Sequence, residues 1–127
     1  MGNDKIRNNI KSQYPDIIVD KFPSNADFCL FGPGYDLKEN IKLPNMIGFK
    51  HIVCDASLFS STSNINDFPD NSILTPHFGE YQKLFNTKND LTLSSFNYIQ
   101  NSIKNRIIIL KHFNVFIITS DTIYIMD

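Results

Sequence analysis

Three short words in this chain combine residue types that handle charged or phosphorylated ligands. Gly32-Pro33-Gly34 sets two residues without a Cβ on either side of a rigid turn, so a phosphate or a flat ring can approach the backbone N–H groups. Asp55-Ala56-Ser57 offers a carboxylate that could hold a hydroxyl or a metal-bound water. In Thr75-Pro76-His77-Phe78-Gly79-Glu80, Pro76 holds Thr75 extended and so fixes the angle at which the His77 imidazole is presented, while Gly79 permits close approach. Each word also has a structural use. The glycines could make a plain tight turn, and Asp55 could cap a helix. Glu80, in the first turn of a helix, reads foremost as a cap whose charge complements the dipole.

Other constellations fail. His51, His77 and His112 are far apart and not at metal-ligand spacing, so these residues predict no metal site. Cys54 points to the strand face opposite Asp55, which argues against a thiol–imidazole pair with His77. There is no G-x-S-x-G elbow, no P-loop and no G-x-G-x-x-G fingerprint.

The elements that must position these words follow from the apolar pattern. Runs at 26–31, 51–54 and 72–75 each end at one of the words, and a fourth lies at 107–110. None alternates cleanly, as expected of strands in a parallel sheet covered by helices. If the first three are parallel, their carboxyl ends bring the words to one rim, where ligands of open α/β sheets bind. Runs at 115–119 and 123–126, separated by Ser120-Asp121-Thr122, predict an antiparallel hairpin. Leu93, Phe96, Ile99 and Ile103 predict an amphipathic helix over about 92–104. Shorter helices are expected over 80–85, with Tyr81, Leu84 and Phe85 inward, and over 4–12, stopped before Pro15. The Ser/Asn-rich stretch 60–66 reads as a loop. The fold class is α/β.

The totals narrow the function. One domain is expected of 127 residues, and 42% hydrophobic residues with 11 Phe suffice for a packed core. A net charge of -1 with scattered Lys and Arg points away from nucleic acid and anionic membranes. Two cysteines outside any C-x-x-C pair read as reduced thiols, and the N-terminal stretch shows neither a signal peptide nor a myristoylation pattern. A cytoplasmic location is the expectation.

Taken together, FGPGYD, IVCDAS, ILTPHFGEYQKLF and IIILKHFNVFI, in that order, resemble the ADP/ATP-dependent NAD(P)H-hydrate dehydratases, a ribokinase-like "carbohydrate kinase" family. TPHFGE is the strongest word, matching the family's T-P-H-P-G-E, and the resemblance covers roughly residues 26–127. It implies a mostly parallel sheet flanked by helices, a single partial domain over 1–127 truncated at both ends. It implies ADP or ATP with magnesium as cofactor and hydrated NADH or NADPH as substrate. The nucleotide phosphorylates the hydroxyl of the hydrated ring, and elimination of phosphate restores the nicotinamide. It also implies that Gly32, Gly34, Asp55 and His77 face the dinucleotide and that Lys111, matching the lysine of an L-K-G-A word, borders the adenine nucleotide.

The departures are specific. Asp36 replaces the last glycine of G-P-G-x-G, Ser57 the last Asp of D-A-D, Phe78 the proline of H-P-G-E, and His112 the glycine after the lysine. The family's G-x-G-D word, which supplies an anion hole and the catalytic Asp, does not occur in these 127 residues. The expectation is therefore an incomplete dehydratase, with a non-catalytic remnant or nucleotide-binding module as the alternative and a small-molecule kinase third. Bare strand edges predict a homo-oligomer or a completing chain.

Overall fold

A computed structural model describes residues 26–33, 49–87 and 91–127, with 8, 9, 12 and 13. Gly34, Tyr35, Asp36 and most of the helix expected over 4–12 lie outside the described residues.

The six apolar runs form one sheet in sequence order: β1 (Phe28–Phe31), β2 (His51–Cys54), β3 (Ser72–Leu74), β4 (Ile107–Lys111), β5 (Val115–Ile118) and β6 (Ile123–Met126). The first four pair in parallel, with Phe31 opposite Cys54, Cys54 opposite Leu74 and Leu74 opposite Ile108. The last two turn back antiparallel, Leu110 facing Phe116 and Ile117 facing Tyr124. Thr119 closes the final hairpin: its N–H donates to the Thr122 carbonyl at 2.9 Å, and its hydroxyl accepts from the Thr122 N–H at 3.0 Å.

Among the described residues, three helices connect β2 to β3 and β3 to β4. Helix α1 (Leu58–Ser61) and a single 3-10 turn (Ile65–Asp67) occupy the stretch read as a loop. Leu58 and Phe59, just before that stretch, and Ile65 within it are buried and hold it against the core. Helix α2 (Phe78–Phe85) buries Tyr81, Leu84 and Phe85 and ends at Asn86 in the left-handed conformation. Helix α3 (Leu93–Ile103) starts at a Thr92/Ser95 capping box and buries Phe96, Ile99 and Ile103. Leu93, expected on the same buried stripe, is 81% exposed: as the first helical residue it lies one turn before the first side chain that reaches the sheet.

The strand order explains which face is covered. Every step from β1 to β4 moves the same way across the sheet, and the right-handed crossover rule puts the described connections, from β2 to β3 and from β3 to β4, on one side. Ile52, Cys54, Leu74, Ile108, Leu110 and Ile118 point to that side and are buried against the helices. The alternate residues Val53, Ile73, Ile107, Ile109 and Ile117 are only half-buried. The parallel pairing expected of unalternating strands is present, but among the described residues the helices cover one face alone.

The amino end of the sheet is tied by Arg106, which is 3% exposed. Its Nε and Nη2 donate to the Phe68 carbonyl at 3.2 and 2.6 Å, Nη1 donates to the Ile103 carbonyl at 3.4 Å, and Nη2 pairs with Asp70 at 2.7 Å. One planar cation thus joins the end of α3 to the loop before β3. Replacing it with methionine removes both donors to the Phe68 carbonyl, while the Ile103 carbonyl keeps the backbone N–H of residue 106 at 3.0 Å, and Arg106→Met is expected to lower stability by about 2–3 kcal/mol in urea unfolding. Tyr81 behaves oppositely. Its hydroxyl is buried with no partner among the described residues, and burial pushes its pKa up to about 12. Tyr81→Phe removes that uncompensated polar group and is expected to raise stability by about 1 kcal/mol in the same experiment.

Candidate functional site

The carboxyl edge of the sheet is continued past the strand ends by backbone hydrogen bonds. Asp55 N–H donates to the Phe31 carbonyl at 2.9 Å, Thr75 N–H to the Cys54 carbonyl at 3.0 Å, and Lys111 N–H to the Pro76 carbonyl at 2.9 Å. His77 bridges Lys111 in parallel register. Residues 32, 55, 75–77 and 111 are therefore drawn to one rim, although 79 positions of sequence separate the first from the last.

Gly32 stands at that rim as the hinge between β1 and β2. Its φ is +121°, a left-handed value that disfavours any side chain, and a Cβ on it would lie 1.7 Å from the Asp55 carbonyl oxygen. The Ser57 hydroxyl donates to the Gly32 carbonyl at 2.6 Å and locks the two turns together. The glycine is thus required by backbone-to-backbone contact. Gly34, its expected companion, lies outside the described residues.

Asp55 and Lys111 meet across β3, Nζ to Oδ1 2.7 Å, both partly exposed. Sequence reasoning singled out each residue without foreseeing the pair, because the two are 56 positions apart. Alternation along β2, β3 and β4 puts Asp55, Thr75 and Lys111 on the side away from the helices. Burial pushes the Asp55 carboxyl up, but hydrogen bonds from Lys111, Thr75 and the Ala56 N–H, with the Lys111 charge, outweigh it and hold the pKa below the usual 3.8. Ala56 takes φ 51°, turning the chain sharply from β2 into α1.

His77 is the N-cap of α2. Its Nδ1 accepts from the N–H groups of Gly79 at 3.0 Å and Glu80 at 3.3 Å, while Glu80 Oε2 accepts from the His77 N–H at 2.9 Å. Nε2 lies 3.4 Å from Glu80 Oε1. Imidazole and carboxylate close a reciprocal capping box, the role expected of Glu80. Gly79 makes room for it, since a Cβ there would come within 3.1 Å of His77 Cε1. The ring is 63% exposed at the rim even so.

Two of the residues that depart from the resembled family touch each other. The Phe78 and His112 rings meet edge to face, centroids 4.5 Å apart and planes at 89°. Cys54, by contrast, is fully buried under the helices, with its thiol pushed up to about 12 by burial and by Cys29. Both cysteines are free thiols. Among the described residues no group of three His, Cys, Asp or Glu side chains could hold a metal ion, and no helix is long and apolar enough to cross a membrane. A hollow of about 380 Å³ lies elsewhere, lined by Ile65, Leu84, Phe85, Tyr98 and Lys104, and none of the rim residues borders it.

With this geometry the comparisons are specific about fold and silent about chemistry. No family model matches the chain, and no curated protein matches it. A solved structure, a ribokinase-like superfamily protein from Enterococcus faecalis, superposes with a TM-score of 0.62 at 21% identity over 80% of this chain. The chain spans 39% of the length of that protein. The fold, a mixed α/β sheet with a C-terminal antiparallel hairpin, is ribokinase-like.

Two measurements test the rim. Gly32→Ala forces a Cβ into the Asp55 carbonyl and is expected to cost at least about 2 kcal/mol in urea unfolding. Asp55 has a depressed pKa, so its stabilisation is present above the ordinary carboxylate value and is lost as pH falls through the folded value, below 3.8. Asp55→Asn is expected to lower stability at pH 7 and to flatten the acid side of the profile below about pH 4. An unchanged slope in that variant would show that Asp55 carries none of it.

Proposed function

We propose that this chain is the nucleotide-handling part of a ribokinase-like protein and binds an adenine nucleotide or dinucleotide at the carboxyl rim of β1–β4. The observation that carries this reading is the gathering of Asp55, Thr75, His77 and Lys111 at the ends of three adjacent parallel strands. Ligands of open α/β sheets occupy that rim. The Lys111 ammonium and Thr75 hydroxyl suit phosphate oxygens, the first as a point charge and the second as a donor. The exposed His77 ring edge suits a flat base or nicotinamide.

A ligand phosphate reaches Lys111 by taking the place of the Asp55 carboxylate. A partly exposed ion pair contributes only about 0–1 kcal/mol, so the exchange is not costly. Magnesium fits less well. Among the described residues Asp55 is the carboxylate paired with Lys111, so the ion is expected to arrive on the nucleotide phosphates rather than in a protein cage.

The finer reading, a part of an ADP/ATP-dependent dehydratase of hydrated NADH or NADPH, is supported by the order of the words around Gly32, Asp55, His77 and Lys111. The G-x-G-D word that the resemblance associates with the anion hole and catalytic carboxylate is not among these residues. Without preorganised charge stabilisation and a positioned base, phosphoryl transfer has little to accelerate it. The proposal is accordingly binding, without turnover by this chain alone.

Thermal-shift titration with NADH, hydrated NADH, ADP and ATP tests it. Ligands that bind the folded state must raise Tm, and ADP at a hundred times its Kd adds about 2.7 kcal/mol. Lys111→Ala is expected to reduce the adenine-nucleotide shift. No shift with any of the four ligands would end this reading, and a shift with ADP but not hydrated NADH would exclude the dehydratase substrate.

A further inference from the structure

Three donors converge on the Asp55 carboxylate: Lys111 Nζ at 2.7 Å, the Thr75 side chain and the Ala56 N–H. A cation, a hydroxyl and a backbone N–H aimed at one point are a set that recognises a phosphate oxygen. Here the chain supplies the anion itself. The backbone that carries it cannot draw back. The Asp55 N–H donates to the Phe31 carbonyl at 2.9 Å, and a Cβ on Gly32 would lie 1.7 Å from the Asp55 carbonyl oxygen. The Ser57 hydroxyl ties the following turn to the Gly32 carbonyl at 2.6 Å. A carboxylate that gives up Lys111 therefore moves by side-chain rotation, and it stays close to whatever replaces it.

We infer that Asp55 is a built-in competitor at the rim: its carboxylate occupies the Lys111 and Thr75 donors until a more highly charged anion displaces it. This rests on the reading of the rim as a nucleotide site, and it gives Asp55 the opposite effect from a residue that holds the ligand. A competitor attached to the site acts at a high effective concentration, in the millimolar range for a short flexible tether. Once displaced, it also repels the incoming anion, because like charges a few ångströms apart oppose each other even in water. Both effects disfavour monoanions and select a di- or triphosphate, whose several charges outweigh one carboxylate. Glu80 does not share the task. Its carboxylate is turned to the His77 N–H at 2.9 Å and to the His77 ring.

Isothermal titration calorimetry of the full chain with inorganic pyrophosphate and with ADP, at pH 7, is the test. Asp55→Asn keeps the size of the side chain and removes its charge, and it should tighten both ligands about fivefold or more. Asp55→Ser takes its place if circular dichroism shows the asparagine variant unfolded. The gain must pass through Lys111, so in a Lys111→Met background the same change should bring none. Asp121→Asn removes an equal charge from the turn between β5 and β6, at the other edge of the sheet, and should leave affinity unchanged. In the parent, pyrophosphate should move the carboxyl carbon resonance of Asp55, a readout that needs no variant. The inference alone fails if the parent binds and the Asp55 variants bind no tighter, if the gain persists without Lys111, or if the Asp55 resonance stays in place while pyrophosphate binds. If neither parent nor variants bind pyrophosphate or ADP, the rim is not a nucleotide site and the inference falls with that reading.

Discussion

Parallel pairing of β2, β3 and β4 is the constraint on which the rest depends. Its registered hydrogen bonds run on past the strands, from Thr75 to Cys54 and from Lys111 to Pro76, and so deliver four chemically able residues to one rim. No local interaction could bring Asp55 to Lys111. The ion pair is a consequence of β3 being the single strand between β2 and β4, narrow enough for a lysine to reach across, and of alternation choosing the same face for both.

The same pairing allots two kinds of work to the glycines. Gly32 lets the chain leave β1 against the backbone of Asp55, and Gly79 lets the His77 ring fold over the start of α2. Both look in sequence like ligand-facing glycines, and both are needed by protein atoms first. His77 is likewise committed through Nδ1 to its helix, so what it has to offer a ligand is its exposed edge. These contacts at the rim are made by protein atoms alone.

Much of this was legible in the residues. The strands, the final hairpin and the inward faces of α2 follow from apolar runs and helical spacing, and the capping role of Glu80 from its place in the first turn of a helix. What was hidden had physical reasons. The four residues of α1, running into the Ser/Asn-rich stretch, have no period long enough to detect, and Leu58 and Phe59 anchor it only once a core exists to receive them. That the described helices share one face of the sheet was invisible because strand order, not composition, decides where crossovers go. The Asp55–Lys111 contact needed the register.

The edge-to-face contact between Phe78 and His112 has a consequence for how this rim can change. Each ring fills the room the other leaves, so the two positions form one unit and their effects are not additive. Shrinking either alone strands its neighbour against a void, so a smaller, more open mouth is reached only by changing both at once. That coupling ties the shape of the rim at positions 78 and 112 to paired rather than single changes.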